Sequence, residues 1–140
     1  MLVSILHWNG SIQFLRENNF AGFAFRWSRL DNLIRFIREC NNPILEFVDP
    51  DLEGLRANLL TAIKEFMSEL SIQSWPLPHN SEMQQVPPEW EIEQPDRFHS
   101  IVKYLHDKAD EICNGYDSLV KTAVRKLGVI PTEKDDDIFV

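Results

Sequence analysis

Two cysteines, five scattered glycines, no long apolar run and no cluster of basic residues are what this 140-residue chain has little of, and each shortage removes a class of explanation. Cys40 and Cys113 are too few for a disulfide framework and read as reduced thiols of a cytoplasmic protein. The single glycines build neither a phosphate-cradling loop nor a Gly-x-Ser-x-Gly nucleophile elbow. No stretch approaches the ~18 apolar residues of a membrane span. Residues 1–8 carry no basic n-region and no small-residue cleavage site, so the expected location is the cytoplasm. The net charge is −8: residues 1–48 sum to +1, 49–96 to −8, 97–130 to +2 and 131–140 to −3. Such a chain repels phosphate backbones unless basic residues are concentrated somewhere. Arg16, Arg26, Arg29, Arg35 and Arg38 scatter in angle and are interrupted by Asp31 and Glu39, so no nucleic-acid partner is expected. The aromatic N-terminal segment lacks the basic face of a membrane-surface helix, so no membrane partner is expected either.

What the chain does have is core material. Apolar residues make up 44%, with nine Phe and four Trp, enough for one globular domain of ordinary size. Phe20, Phe23, Trp27, Leu30, Ile34 and Ile37 step by 3 and 4, which predicts a helix over 19–40 ended by Asn41-Asn42-Pro43. A second helix opens at Asp49-Pro50, with Asp49 as N-cap and Pro50 at the first position, and runs to about 71–74. The longest stripe is Phe98, Val102, Leu105, Ala109, Ile112, Tyr116, Leu119, Ala123 and Leu127, with Asp96 as N-cap and a kink expected at Gly115. Residues 1–17 suit a small hairpin on Asn9-Gly10 or a short helix that breaks at Gly10, and irregular or helical structure is preferred because a lone hairpin has no strand to pair with. Five prolines between 75 and 96 mark an irregular crossover. The predicted fold is therefore all-α: a three- to four-helix antiparallel bundle over 1–128, with a flexible acidic tail at 129–140.

Three sets of residues bear on function. Phe25, Leu33, Phe36 and Cys40 would form a second apolar side on helix 19–40, more than a small monomer buries with ease. They are therefore interface candidates for a homodimer. His99, His106, Asp110 and Cys113 follow one edge of the last helix, with ligand types that suit zinc. Helical metal sites more often pair His-x-x-x-His or repeat Glu-x-x-His, and neither occurs here. Arg97-Phe98-His99 is too closely spaced for the Arg–His motif of helical toxin and nuclease domains. Ile138, Phe139 and Val140 follow Asp135-Asp136-Asp137, and these six residues resemble the acidic tails of bacterial single-stranded DNA-binding proteins. That resemblance implies a peptide docking in an apolar groove. The expected function is a non-catalytic interaction or regulatory module without a cofactor. The alternative is a metal-binding or enzymatic bundle on the His99–Cys113 edge.

Overall fold

The computed structural model describes residues 9–40 and 49–127. In chain order these form α1 (Asn9–Glu17), β1 (Phe25–Arg26), a 3-10 turn (Trp27–Leu30), α2 (Asp31–Cys40), α3 (Pro50–Gln73), β2 (Trp75–Leu77), β3 (Asn80–Gln85), α4 (Trp90–Glu93) and α5 (Pro95–Leu127). Helices dominate, but the all-α expectation is corrected by a three-stranded antiparallel sheet in the order β1-β3-β2. The hairpin alternative for the N-terminus concerned 1–17, of which 9–17 is helix and the rest lies outside the described residues.

Helices α3 and α5 are the scaffold, and both form for the reasons their sequences suggest. Asp49 Oδ1 accepts from the backbone N–H groups of Asp51 (2.9 Å) and Leu52 (3.2 Å), and Pro50 occupies a first-turn position that needs no donor. Leu52, Leu59, Ile63, Phe66 and Leu70 turn one buried face toward Phe98, Leu105, Ala109, Ile112, Leu119 and Ala123 of α5. Gly115 lies in the contact: a Cβ there would stand 3.3 Å from Leu59 Cδ1, so its absence lets the helices approach. Helix α5 runs through Gly115 uninterrupted and begins at Pro95, which puts Asp96 in the first turn instead of at the cap. Lys126, near the end of α5, reaches Asp49 (3.0 Å) and Asp51 (2.7 Å) at the start of α3, which fixes the pair as antiparallel.

That corner carries a pH dependence. The Lys126 ammonium, with the backbone N–H groups of Leu52 and Asp51, holds the Asp49 carboxyl below its usual range. A carboxylate with a lowered folded pKa stabilises fully above the unfolded value of about 4 and loses that contribution as the pH falls through the folded value. Thermal unfolding from pH 6 to pH 2 should show a stability gap between wild type and Asp49→Asn that shrinks on acidification. A gap independent of pH would show that the charge at Asp49 contributes nothing.

Residues 19–40 are not one helix. After α1, Asn18 still donates to the Phe14 carbonyl (2.8 Å). Gly22, at φ +84°, then donates to the Phe20 carbonyl (2.8 Å) and reverses the chain. Phe25 and Arg26 extend to pair with Gln84 and Met83 of β3, and helix resumes only after the 3-10 turn. The reversal sends Phe20 and Phe25 into the same core, together with Phe14 and Phe66, as ring pairs 5.4–5.9 Å apart. The irregular crossover at 75–96 is corrected too. Its first half is the β2–β3 hairpin, paired Trp75–Gln85, Pro76–Gln84 and Leu77–Asn80 with a register shift after Pro76. Pro76 is tolerated because β2 is an edge strand. Ser74, buried at the end of α3, donates its hydroxyl to the Leu70 carbonyl (2.6 Å) and accepts from Gln84 Nε2 (2.9 Å), tying helix to hairpin.

Candidate interaction surface and cleft

The four residues proposed for a dimer interface are used inside the chain. Phe25, Leu33 and Phe36 are buried in its core, and Cys40 is half-buried, with Arg56 as a hydrogen-bond partner. The second apolar side of helix 19–40 does not exist as a free face, because the chain reversal at Gly22 folds it inward.

The four residues of the metal edge are dispersed in role. His106 Nε2 accepts the Phe20 N–H at 3.0 Å, so that nitrogen is already committed within the chain. Cys113 is buried beneath α1, with Sγ 3.9 Å from the Ile12 carbonyl oxygen. His99 is exposed, edge-on to Phe98, and Asp110 is exposed. Among the described residues, no group of three or more His, Cys, Asp or Glu side chains is placed to hold a metal ion. Burial pushes the Cys40 and Cys113 thiols up, at Cys40 against the opposing Arg56 hydrogen bond, so neither is an activated nucleophile. Two of the scattered arginines are spent on ion pairs, Arg16 with Asp117 (2.7 Å) and Arg26 with Glu82 (3.3 Å). Ile138, Phe139 and Val140 lie outside the described residues.

Two features stand out instead. The first is an apolar surface around α4. Ile72, at the end of α3, is 60% exposed; Trp75 of β2 is 53% exposed and Ile92 of α4 is 86% exposed. Phe23, 61% exposed, follows Gly22, which packs against Pro88 just before α4. Single exposed apolar residues are ordinary, but here one of them, Trp75, stands on a rigid base. The base here is a stack. Buried Trp90 meets Trp75 edge to face (5.5 Å), and the Arg97 guanidinium lies 3.7 Å from the Trp90 ring centroid. Arg97 is held in that plane by donating to Gln73 Oε1 (2.9 Å) and Gln94 Oε1 (3.3 Å). Such a cation–π contact contributes about 0.5–2 kcal/mol and keeps both indoles in place. Glu91 and Glu93, both exposed, flank Ile92 in α4, and exposed Glu89 precedes that helix. The sequence shows Trp75, Trp90 and Ile92 as pegs in a proline-rich stretch, but which of them point outward depends on the hairpin.

The second feature is a cleft of about 360 Å³ where α1, β1 and β3 meet, lined by Phe14, Asn18, Phe25, Arg29 and Met83 among others. Nothing in the sequence pattern marks it, because it forms only when the chain reverses at Gly22.

No family model, curated protein or solved structure matches this chain. Among the described residues, no helix is long and apolar enough to cross a membrane.

Proposed function

We propose that this protein is a non-catalytic binding module whose α4 surface receives a basic, amphipathic segment of a partner protein. The observation that carries this reading is exposed Trp75 braced by the Trp90–Arg97 stack, with exposed Ile72 three residues before it and exposed Ile92 two residues after Trp90. Tryptophan, isoleucine and arginine in one place suit a binding hot spot, which needs rigid apolar anchors. The occupant's charge follows from the rim. Residues 49–96 carry a net −8, Glu91 and Glu93 adjoin Ile92 in the chain with Glu89 just before α4, and the cation of the stack, Arg97, is engaged with Trp90 and two glutamines. A complementary segment presents apolar side chains in the centre and Lys or Arg at its edges.

The test uses an 18-residue amphipathic peptide of leucine and lysine against its leucine–glutamate counterpart, followed by tryptophan fluorescence. The lysine peptide should bind saturably and weaken with added salt, and the glutamate peptide should not bind. Ile92→Asp and Trp75→Ser, both at exposed positions, should each weaken binding at least tenfold with unchanged circular dichroism. Equal binding of the two peptides, or indifference to Ile92→Asp, would reject the reading. Light scattering supplies a further check: self-association abolished by Ile92→Asp would assign the surface to a second copy of the chain and overturn the proposal.

A further inference from the structure

The cleft between α1, β1 and β3 involves none of the residues that make the α4 surface, and its chemistry points to a different kind of ligand. Its floor is apolar: Phe14 and Phe25 are buried, their rings 5.8 Å apart, and Met83 closes the β3 side. Its polar groups are mainly donors. The Arg29 guanidinium sits 5.3 Å above the Phe14 ring and makes no ion pair among the described residues. Asn18 Nδ2 is buried with no hydrogen-bond partner there, a condition native side chains rarely tolerate without an acceptor to meet it. The carboxylate in the lining, Glu17, accepts from Gln13 Nε2 (2.6 Å), and Arg26 is engaged with Glu82.

We infer that this cleft binds a small organic acid, its carboxylate held by Arg29 and Asn18 and its flat apolar body lying on Phe14 and Phe25. The Arg29 guanidinium, without an ion pair among the described residues, and one amide N–H offer the two or three donors that a planar carboxylate accepts. A phosphate dianion is a poorer fit, because its second charge adds to the repulsion from Glu17 and the apolar half of the lining, Phe14, Ala24, Phe25 and Met83, would be left against a wholly polar anion. Size sets the other limit. At ~30 Å³ per heavy atom, the share of one water in the liquid, the cleft takes about a dozen heavy atoms. That is the scale of an arylalkanoic acid.

The experiment is a proton–nitrogen NMR titration of the full chain with 3-phenylpropanoate, alongside neutral 3-phenylpropanamide and inorganic phosphate. The acid should shift the backbone amides of 14–18, 24–29 and 83, together with the Asn18 side-chain NH2 pair. The amide analogue and phosphate should bind at least tenfold more weakly. Arg29→Gln, at an exposed position, should weaken the acid at least tenfold, Arg29→Lys less so, and Trp75→Ser not at all. Equal affinity for acid and amide overturns the carboxylate assignment without any variant. Tighter binding of phosphate, shifts centred elsewhere, or an Arg29→Gln protein that binds the acid as before would overturn the site. These outcomes are independent of the peptide titration, since the two surfaces share no residue.

Discussion

Phe20→Ala is expected to lower the unfolding free energy by about 3–5 kcal/mol, a large share of the 5–15 kcal/mol that holds an ordinary domain together. Phe20 is fully buried, and its ring is the joint between four elements. It meets Phe14 of α1 at 5.9 Å, Phe25 of β1 at 5.4 Å, Phe66 of α3 at 5.7 Å and His106 of α5 at 5.9 Å. Truncation removes the transfer energy of the ring and leaves a cavity whose walls belong to separate elements and collapse poorly. Urea unfolding followed by circular dichroism measures the loss. Phe23→Ala is the matched control: its side chain is 61% exposed, so its cost should stay within about 0.5 kcal/mol. Similar effects at the two positions would mean that residues 19–24 are helical after all.

Gly22→Val carries the second large effect, roughly 3 kcal/mol or more. Two separate penalties contribute. A β-branched residue at φ +84° leaves its allowed backbone region, which costs of order 1–3 kcal/mol. A Cβ at this position would also stand 3.0 Å from Pro88 Cβ and 3.3 Å from Pro88 Cα, and backbone there cannot swing away as the end of a flexible side chain would. Overpacking of this kind costs about 1–3 kcal/mol. Gly22→Ala should show both effects in reduced form. Pairing it with Pro88→Gly, which removes one side of the contact, should recover the steric part and leave the backbone part. A neutral Gly22→Ala would contradict the reversal on which the N-terminal architecture rests.

These two residues also show where the sequence was readable. Helices α3 and α5 were legible because one local pattern serves one purpose throughout: each stripe faces the other, and Asp49-Pro50 marks the start without ambiguity. The stripe from Phe20 to Ile37 has the same spacing for unrelated reasons. Phe20 is buried by a chain reversal and Leu30 by a 3-10 turn, Ile34 and Ile37 are only half-buried on a true helix, and Phe23 points to solvent. Periodicity records the spacing of apolar residues and not the means by which each is buried. The sign that one helix was too simple lay in its two apolar sides, which Gly22 and the paired Asn18-Asn19 resolve by breaking the chain there. The sheet was hidden for another reason. Asn80–Gln85 is polar apart from Met83, exposed in its first half and half-buried in its second, so no alternation marks it as a strand. The Pro78-His79 turn closes its hairpin with no residue at positive φ, so the usual Asn-Gly signal is absent. Of the functional surfaces, the tryptophans and Ile92 were visible in the sequence as residues. The cleft was not, because it depends on a contact between segments far apart in the chain.

That distance is what the β1–β3 pairing has to close. Arg26 and Glu82, joined across the β1–β3 edge, are 56 positions apart, whereas β2 and β3 meet across a turn of two residues. A strand of two residues cannot offset the loop entropy of so long a closure by itself. Its place is given by the hairpin, which Ser74 and Gln84 tie to the end of α3, and by the Phe14–Phe20–Phe25 cluster behind it. The Phe14–Arg29 cleft is walled by that edge through Phe25, Arg26 and Met83. A molecule lodged there would touch both strands, so its binding would favour the paired form over the open one.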